Sequence, residues 1–308
     1  MEIFNNLNLI KNEFKNNTCV ALGNFDGVHL GHQKIIESTI KIANDKNLNS
    51  VVFSFKNNPK EFFKKNKNFK YLTSFEEKIE LLSKLDLDIL ICPNFDDDFS
   101  KISPQKFIEE IIINRLKAKV INVGFNYKFG NMREGNNDIL KEICKKHNVV
   151  LNILDAVKDD ENIINSTIIR DSLNNCEIKK ANKLLGYNYF IKGKVIKGRN
   201  VGKNILGIPT ANIYEDAKLF PGRGVYGVKV LIENHKKEFF GLLNIGNNPT
   251  FNYTNKVSLE VFILNFDEQI YDKKIRIEFL NFFRKENKFD TIQELREDIL
   301  NLSKKIEL

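Results

Sequence analysis

The sequence predicts an α/β part with a parallel sheet, followed by an all-β part that forms a small antiparallel β-barrel with a terminal helix. Apolar strand patterns alternate with helical patterns up to about residue 154. From Ile191 onward, closely spaced strand patterns bounded by glycine dominate. A length of 308 residues favours two domains. We place the boundary between them after Gly186, giving domains 1–186 and 187–308.

In the first half, the spacing of apolar and capping residues predicts the helices and strands. The segment 31–46 places Ile36 and Ala43 on one helical face. Ser74 is a helix N-cap, because Glu77 follows it three residues later. Strands are predicted at 18–22, 50–55, 88–92, 119–124 and 149–154, and helices at 31–46, 74–85, 104–116 and 136–146. Such alternation implies a parallel sheet covered on both faces, whose ligands bind at the carboxyl ends of its strands.

In the second half, the sequence pattern changes to short strands separated by turns. Strands are predicted at 193–196, 224–232, 238–245, 258–265 and 274–283, with one helix at 291–304. Short strands separated by glycine turns are typical of a small barrel or sandwich. Back in the first half, the lysine-rich segment 56–70 is predicted as a loop at the carboxyl end of the second strand.

Composition excludes several classes of protein. The net charge of +8 suggests phosphate ligands, but only eight of the 48 cations are Arg, so nucleic acid is not expected as a partner. No apolar stretch approaches the roughly 20 residues that span a bilayer, and the first ten residues lack a secretory pattern. We therefore expect a cytoplasmic protein without a membrane partner. The four Cys show no metal or disulfide spacing and are predicted to be buried reduced thiols.

The strongest motif is the segment 23–32, GNFDGVHLGH, between the first strand and the first helix. A helix N-terminus presents free N–H groups and a positive dipole end to a phosphate. Gly31 allows close approach of the backbone, and His29 and His32 stand on either side of it. Two imidazole donors there can stabilise the charge that develops on an attacked phosphate.

Two later segments of the first half remain open on their residues alone. The segment 124–130, GFNYKFG, follows a strand and is either an ordinary loop or a ligand loop carrying Asn126 and Lys128. The segment 165–170, NSTIIR, has the hydroxyls of a helix start and an Arg one turn in. On the residues alone, that arrangement is more typical of a plain helix start than of a ligand site.

The second half offers two candidates of the same kind. The segment 198–212, GRNVGKNILGIPTAN, is either a turn begun by proline or a glycine-bearing phosphate loop. Its Thr210 and Asn212 are neutral oxygen ligands on one side of an extended segment, which suits Mg²⁺ held together with nucleotide phosphates. Glu260 lies in an alternating strand, where an isolated carboxylate is more often a solvated outward residue.

Taken together, these motifs resemble the bacterial bifunctional riboflavin kinase/FAD synthetases, within the wider H-x-G-H nucleotidylyltransferases. The resemblance runs through nearly the whole chain. It is carried by the segments 23–32, 72–78, 124–130, 165–170, 209–212 and 224–226 and by Glu260.

The resemblance implies a Rossmann-like nucleotidylyltransferase domain at 1–186 and a flavokinase-like barrel at 187–308. The barrel would phosphorylate riboflavin with ATP to give FMN. The first domain would transfer AMP from a second ATP to FMN, giving FAD and pyrophosphate. ATP would bring Mg²⁺, and FMN and FAD would be substrate and product. Riboflavin, FMN and ATP are the expected partners of a monomer or weak homo-oligomer.

The resemblance also implies roles for individual residues. The catalytic residues would be His29, His32 and Glu260, the metal ligands Thr210 and Asn212, and the flavin contacts Pro59 and Arg284. The nucleotide contacts would be Gly23, Phe25, Asp26, Gly31, Asn126, Lys128, Ser166, Thr167, Arg170, Gly202 and Lys203.

The sequence departs from the family pattern mainly in the first half. Asn126 replaces an acid, Lys128 an Arg and Asn165 a Ser, Ile168 stands where Arg is frequent, and Asn57 replaces a proline. These changes motivate an alternative, a riboflavin kinase whose first domain is weakened or non-catalytic as an adenylyltransferase and mainly binds nucleotide or flavin. An RNA-binding or tRNA-charging protein is a third hypothesis, since H-x-G-H also occurs in class I aminoacyl-tRNA synthetases, but their K-M-S-K-S loop is absent from this sequence.

Overall fold

The computed structural model describes residues 1–7, 14, 16–64, 69–160, 162–196, 210–215, 218–247, 257–287 and 289–306. The chain divides into two compact units, Met1–Ser166 and Thr167–Leu308. The boundary that we predict at residue 186 falls inside the second unit, after two helices that follow the first sheet. As a boundary between functions, it stays a prediction.

The elements of the first unit largely follow the predicted alternation. In chain order they are β1 (Glu2–Phe4), β2 (Thr18–Leu22), α1 (Leu30–Asp45), β3 (Asn49–Phe53), α2 (Pro59–Lys64), α3 (Phe75–Ser83), β4 (Ile89–Ile91), α4 (Asp97–Ser100), α5 (Pro104–Lys106), a π-helix (Phe107–Arg115), β5 (Ala118–Gly124), a 3₁₀ turn (Asn131–Arg133), α6 (Asn137–Lys146), β6 (Val150–Leu154), β7 (Lys158–Asp159), β8 (Asn162–Ile163) and the start of α7 (Ser166–Asn174).

Six parallel strands form the main sheet, in the order β1-β4-β3-β2-β5-β6. Every residue of β2 is buried, as expected for a central strand covered on both faces. The chain runs from β2 through β3 to β4 on one side and then returns to β5 on the other. The carboxyl ends of β2 and β5 therefore flank the point where strand order reverses, where ligands of such sheets bind.

Several elements of the structure were not predicted from the sequence, and β1 and α2 are two of them. β1 was not expected, and it pairs in parallel with β4 at one edge of the sheet. The segment 56–70 is not a loop throughout, because α2 lies within it. The side chain of Asn58 accepts a hydrogen bond from the backbone of Lys60 at 2.9 Å, which supports the start of this helix in spite of its lysine-rich composition.

The second unit is built around a closed antiparallel barrel. After the rest of α7, its elements are α8 (Ile178–Leu185), β9 (Phe190–Ile196), β10 (Thr210–Tyr214), β11 (Gly224–Ile232), β12 (Glu238–Asn247), β13 (Val257–Ile263), β14 (Lys274–Arg284) and α9 (Ile292–Lys304). The barrel order is β10-β13-β12-β11-β14-β9. The predicted α/β plus all-β fold with a terminal helix is thereby confirmed.

Alternation along the strands separates a filled barrel interior from an outer face. Leu243 of β12 and Val261 of β13 are register partners inside the barrel and are fully buried. On the outer face, Leu302 of α9 packs with Val225 and Leu242. Burying such a side chain contributes about 1.5–3 kcal/mol, so the terminal helix is held by its apolar face.

The cysteines follow the prediction with one exception. Cys19, Cys92 and Cys144 are buried free thiols. Cys176 is only partly buried, so the prediction of burial is wrong there, and its Sγ accepts a hydrogen bond from the Tyr226 hydroxyl at 3.2 Å. Within the described ranges, no helix is long and apolar enough to cross a membrane.

Candidate active sites

The loop that leaves β2 follows a tight path. Phe25, Gly27 and Val28 have φ values of 50°, 87° and 36°, in the left-handed region. Such a conformation costs a non-glycine residue about 1–3 kcal/mol, and the Phe25 ring is buried to 1% exposure, which offsets part of that cost. A Cβ atom on Gly23 would lie 2.7 Å from this ring. Gly23 is therefore needed for the ring to pack against the loop.

His29 and His32 form a stacked pair at the start of α1. Their ring centroids are 3.5 Å apart with an interplanar angle of 20°. His29 is the N-cap, and its Nδ1 accepts a hydrogen bond from the backbone N–H of His32 at 3.3 Å. A Cβ atom on Gly31 would lie 3.2 Å from the His29 ring, so a glycine at this position avoids a close contact with the ring.

Both imidazoles are neutral at pH 7 in this environment. Burial lowers the pKa of His29 to about 4. Burial also holds the pKa of His32 well below its usual value, with smaller contributions from the charges of His29 and Lys78. Because the Nδ1 of His29 accepts a hydrogen bond, its proton lies on Nε2, which is left as a donor. The Nδ1 of His32 is buried and has no hydrogen-bond partner among the described residues.

Asp26 stabilises this loop from within. Its Oδ1 accepts hydrogen bonds from the backbone N–H groups of Leu72 and Thr73 at 3.1 and 3.3 Å. The Thr73 hydroxyl in turn accepts from the backbone N–H of Gly27 at 3.1 Å. The Asp26 side chain thus ties the loop to the segment before α3, and its predicted contact with nucleotide stays a prediction.

Lys78 joins the same loop to the end of β3, a role that sequence reasoning did not assign. Its Nζ donates to the carbonyl of Asn24 at 2.9 Å, to that of Phe55 at 3.2 Å and to the Ser54 hydroxyl at 3.3 Å. Burial lowers its pKa. Helical spacing could have predicted that Lys78 is buried, because Leu81, three positions later on the same face of α3, is a buried residue.

An aromatic cavity of about 470 Å³ opens beside the histidine loop, with Gly23 and Asn24 in its wall. Its rings form a chain of edge-to-face contacts. Phe55 lies 5.7 Å from Phe53 and 4.9 Å from Phe99, measured between centroids. Edge-to-face packing fixes ring orientation, so the cavity has rigid apolar walls suited to a flat aromatic ligand.

The structure brings two predicted residues with different roles to this one cavity. Pro59, predicted as a flavin contact, lines it at the start of α2. Lys128, predicted as a nucleotide contact, lines it from the loop after β5. Asn126 is exposed on the same loop and is not among the lining residues.

The helix α7 carries the next set of predicted residues. Within the first unit, the hydroxyl of Ser166 donates to the carbonyl of Asp26 at 3.2 Å, which places Ser166 against the histidine loop. Thr167 and Arg170 follow in the first turns of α7 and belong to the second compact unit. Ser166 and Arg170 are four residues apart and share one helix face.

The second unit places a row of polar residues across three barrel strands. Glu260 of β13 is the direct register partner of Asn212 on β10 and of Asn244 on β12. Direct partners project to the same face, here the outer one, since Leu259 and Val261 fill the interior. Asn244 was missed, because only the strand register reveals that it neighbours Glu260.

Glu260 is neither fully solvated nor deeply buried, and its burial raises the pKa of the carboxyl. Thr210 lies two residues before Asn212 on β10 and therefore on the same face. The predicted phosphate contacts Gly202 and Lys203 lie outside the described residues. No group of His, Cys, Asp and Glu among the described residues could by itself hold a metal ion.

Arg284, predicted as a flavin contact, is engaged at the end of β14. Its Nη2 and Nε lie 2.6 and 3.2 Å from the Asp298 carboxylate of α9. Its guanidinium carbon lies 5.1 Å from the centre of the Phe289 ring. The structure thus holds the Arg284 side chain in a fixed position, and its contact with flavin stays a prediction.

Comparison with known proteins bears on both units. A family model described as FAD synthetase matches residues 11–168, and one described as riboflavin kinase matches residues 185–306. The bifunctional riboflavin kinase/FMN adenylyltransferase of Buchnera aphidicola subsp. Schizaphis graminum is 38% identical over 96% of this chain and 94% of its own. The chain belongs to the bifunctional riboflavin kinase/FMN adenylyltransferase family.

Other similar proteins extend the same family. The relatives of that name from Listeria monocytogenes and Escherichia coli K12 are 38% and 31% identical, and each alignment covers 91% of this chain. The alignments span 88% and 89% of those two proteins. The family that the motifs resemble is thereby confirmed as the family of this chain.

The fold has a solved counterpart as well. A crystal structure of a macrolide-efflux protein from Streptococcus pneumoniae superimposes with a TM-score of 0.88 at 29% identity. The match covers 99% of this chain and 97% of that one. A member of the riboflavin kinase/FMN adenylyltransferase family therefore shares its fold with that protein over nearly its full length.

Proposed function

We propose that this enzyme makes FAD from riboflavin in two ATP-dependent steps, one in each part of the chain. The second unit phosphorylates riboflavin to FMN, and the first transfers AMP from ATP to FMN with release of pyrophosphate. The observation that carries the proposal is that each unit has its own polar site and its own family match, residues 11–168 and 185–306. Both steps consume ATP, and we propose that the enzyme acts in the cytoplasm, where ATP is available.

In the kinase step, Glu260 is proposed as the general base. It takes the proton of the ribityl 5′-hydroxyl as that oxygen attacks the γ-phosphate of ATP, and ADP leaves. The raised pKa of Glu260 supports this role, since a stronger base accepts a proton more readily once it is ionised. Asn212 and Asn244 flank the carboxylate, and Asn244 is proposed to supply the neutral hydrogen-bonding group that orients the reacting hydroxyl.

Mg²⁺ fits this site only as an ion that arrives with ATP. The donor set on this face is two neutral oxygens, from Thr210 and Asn212, beside one carboxylate, Glu260. Magnesium keeps several waters and binds through few protein ligands together with substrate phosphates. Thr210 and Asn212 would hold the ion, which when bound neutralises the negative charge of the phosphates.

In the adenylylation step, an oxygen of the FMN phosphate attacks the α-phosphate of ATP, and the bond to the β-phosphate bridging oxygen breaks. His29 and His32 are proposed to donate hydrogen bonds to the phosphate oxygens on which charge builds. Neutral imidazoles are donors that need no counter-ion in a buried site, and α1 has no acidic residue in its first turn to repel phosphate. The aromatic cavity would hold the flavin ring.

The alternative of a kinase with an inactive first domain is less well supported. This alternative is based on replacements of family residues, among them Asn126 and Asn165. Against it, both histidines are present in the sequence, and the similar relatives are named as bifunctional enzymes. Asn165 donates through its side chain to the carbonyl of Ile163 at 3.0 Å, so it contributes to local structure before α7.

A timed conversion tests the proposed function. The full-length chain is incubated with riboflavin, ATP and Mg²⁺, and flavins are separated by chromatography. We expect FMN to appear first and FAD after a lag, because FAD is made from FMN. Failure to form FMN would contradict the kinase assignment. Accumulation of FMN without any FAD would contradict the adenylyltransferase assignment alone.

A further inference from the structure

The charged side chains that line the aromatic cavity of the first unit are all positive among the described residues. Among the described residues that line it are three cations, Lys60, Lys128 and Arg133, and no carboxylate. All three cations are exposed, so they lie where the cavity opens to solvent. An apolar cavity with a cationic opening fits a ligand whose flat ring carries an anionic group.

Arg133 stands out among these cations through its backbone. Met132 and Arg133 have φ values of 49° and 59°, so two consecutive non-glycine residues adopt the left-handed conformation. Such strain costs about 1–3 kcal/mol per residue and is concentrated at ligand sites. The exposed fraction of Met132 is 73%, so burial of its side chain does not account for the conformation.

The surrounding chain imposes this strained turn. Phe129 and Gly135 exchange two backbone hydrogen bonds of 3.1 and 2.9 Å, and Asn131 donates to the carbonyl of Ile102 at 2.8 Å. Gly130, with φ of 70°, lies so close to Pro104 that a Cβ atom would be 2.7 Å from its backbone nitrogen. The turn is thus fixed at both ends, which fixes the backbone of Arg133 beside the cavity that its side chain lines.

Arg133 is free to bind a ligand. Among the described residues its guanidinium has no ion pair, unlike Arg284, which is paired with Asp298 at 2.6 Å. A guanidinium has several N–H donors in one plane, and two of them can donate to two oxygens of the same phosphate group. Lys128 and Lys60 provide only point charges on flexible stems.

We propose that Arg133 binds the phosphate group of FMN and thereby makes the first unit select phosphorylated flavin over flavin without phosphate. The proposal rests on the proposed function, in which the aromatic cavity holds the flavin ring. It assigns to Arg133 a specificity-determining role, with Lys60 and Lys128 adding charge at the same opening.

The test compares Arg133→Gln with the unaltered full-length enzyme in FAD formation from FMN and saturating ATP. We expect the KM for FMN to rise about tenfold to a hundredfold, the loss typical of one charge-assisted hydrogen bond or a bidentate pair. Lumiflavin, a flavin ring without the ribityl phosphate, serves as a competitive inhibitor. Its inhibition constant is expected to stay unchanged, because the ring site is intact.

Three further variants separate the charge from the fold. Arg133→Lys keeps the charge without the fork and is expected to recover part of the affinity for FMN. Arg133→Gly removes the cation and relieves the backbone strain, so it should resemble Arg133→Gln. Arg115→Gln is the matched control, an exposed Arg at the end of the π-helix that does not line the cavity. It is expected to change nothing.

An unchanged KM for FMN in Arg133→Gln would overturn the proposal. So would an equal rise in the inhibition constant of lumiflavin, since that would show damage to the ring site. If the unaltered enzyme makes no FAD from FMN, the proposed function itself is wrong, which is a different and distinguishable result.

Discussion

Replacing His32 by Ala is expected to lower the rate of FAD formation from FMN and ATP by about 10²–10³ while FMN formation from riboflavin continues at its original rate. Removing one preorganised donor to a developing oxyanion typically costs that much. His32 also stacks on His29 at 3.5 Å, so the variant frees the second ring to move. The measurement is the initial rate of each product, made on the same preparation.

Two further variants make the result specific. His147→Ala removes another partly buried histidine of the first unit, one that lies 2.8 Å from the Glu109 carboxylate at the end of α6, and it should leave both rates unchanged. His32→Asn retains a side-chain N–H donor and should recover part of the FAD rate. Equal loss of both activities in His32→Ala would mean that the whole chain, rather than the adenylyltransferase site, had been damaged.

Replacing Glu260 by Gln is expected to lower FMN formation from riboflavin by about 10²–10⁴, the usual contribution of a general base. FAD formation from supplied FMN should be unchanged. The substitution preserves the size of the side chain, so the row formed with Asn212 and Asn244 should persist. Glu238→Gln, an exposed position on β12 that pairs with Lys229, is the control and should leave FMN formation intact.

The pH dependence of the kinase gives a second readout of Glu260. A base must be ionised to accept a proton, and burial raises the pKa of this carboxyl. The rate of FMN formation should therefore decline, as the pH falls, at a higher pH than for an ordinary Glu. In Glu260→Gln the residual rate should lose this acid limb. An acid limb that persists in the variant would assign the titrating base to another group.

Most of the fold was predictable because its signals are local. The N-cap at Ser74 with Glu77 is a capping box in the structure, and α9 (Ile292–Lys304) lies where the sequence predicts a helix at 291–304. β1 was not predictable, because a strand of three residues has no periodicity and pairs with β4 far along the chain. The helix α2 was not predicted, because the lysine-rich composition of its segment favours a loop. The contact of Asn58 that supports the helix start is visible only in the structure.

The candidate sites were predictable where one segment carries the chemistry. The motif 23–32 predicts two histidines beside a helix N-terminus, and the structure adds that they stack and that burial keeps them neutral. The aromatic cavity could not be predicted, since its walls come from rings after several different strands and helices. Asn244 and Lys78 likewise acquire their neighbours only through strand register and helix packing.

The assignment of one reaction to each site is tested most directly by mixing two variants, each of which lacks one of the two activities. His32→Ala and Glu260→Gln are each incubated with riboflavin, ATP and Mg²⁺, first alone and then together. The account predicts that His32→Ala alone stops at FMN, that Glu260→Gln alone makes almost no FMN or FAD, and that the mixture makes FAD. Accumulation of FMN without FAD in the mixture, or FAD formation by either variant alone at the original rate, would contradict it.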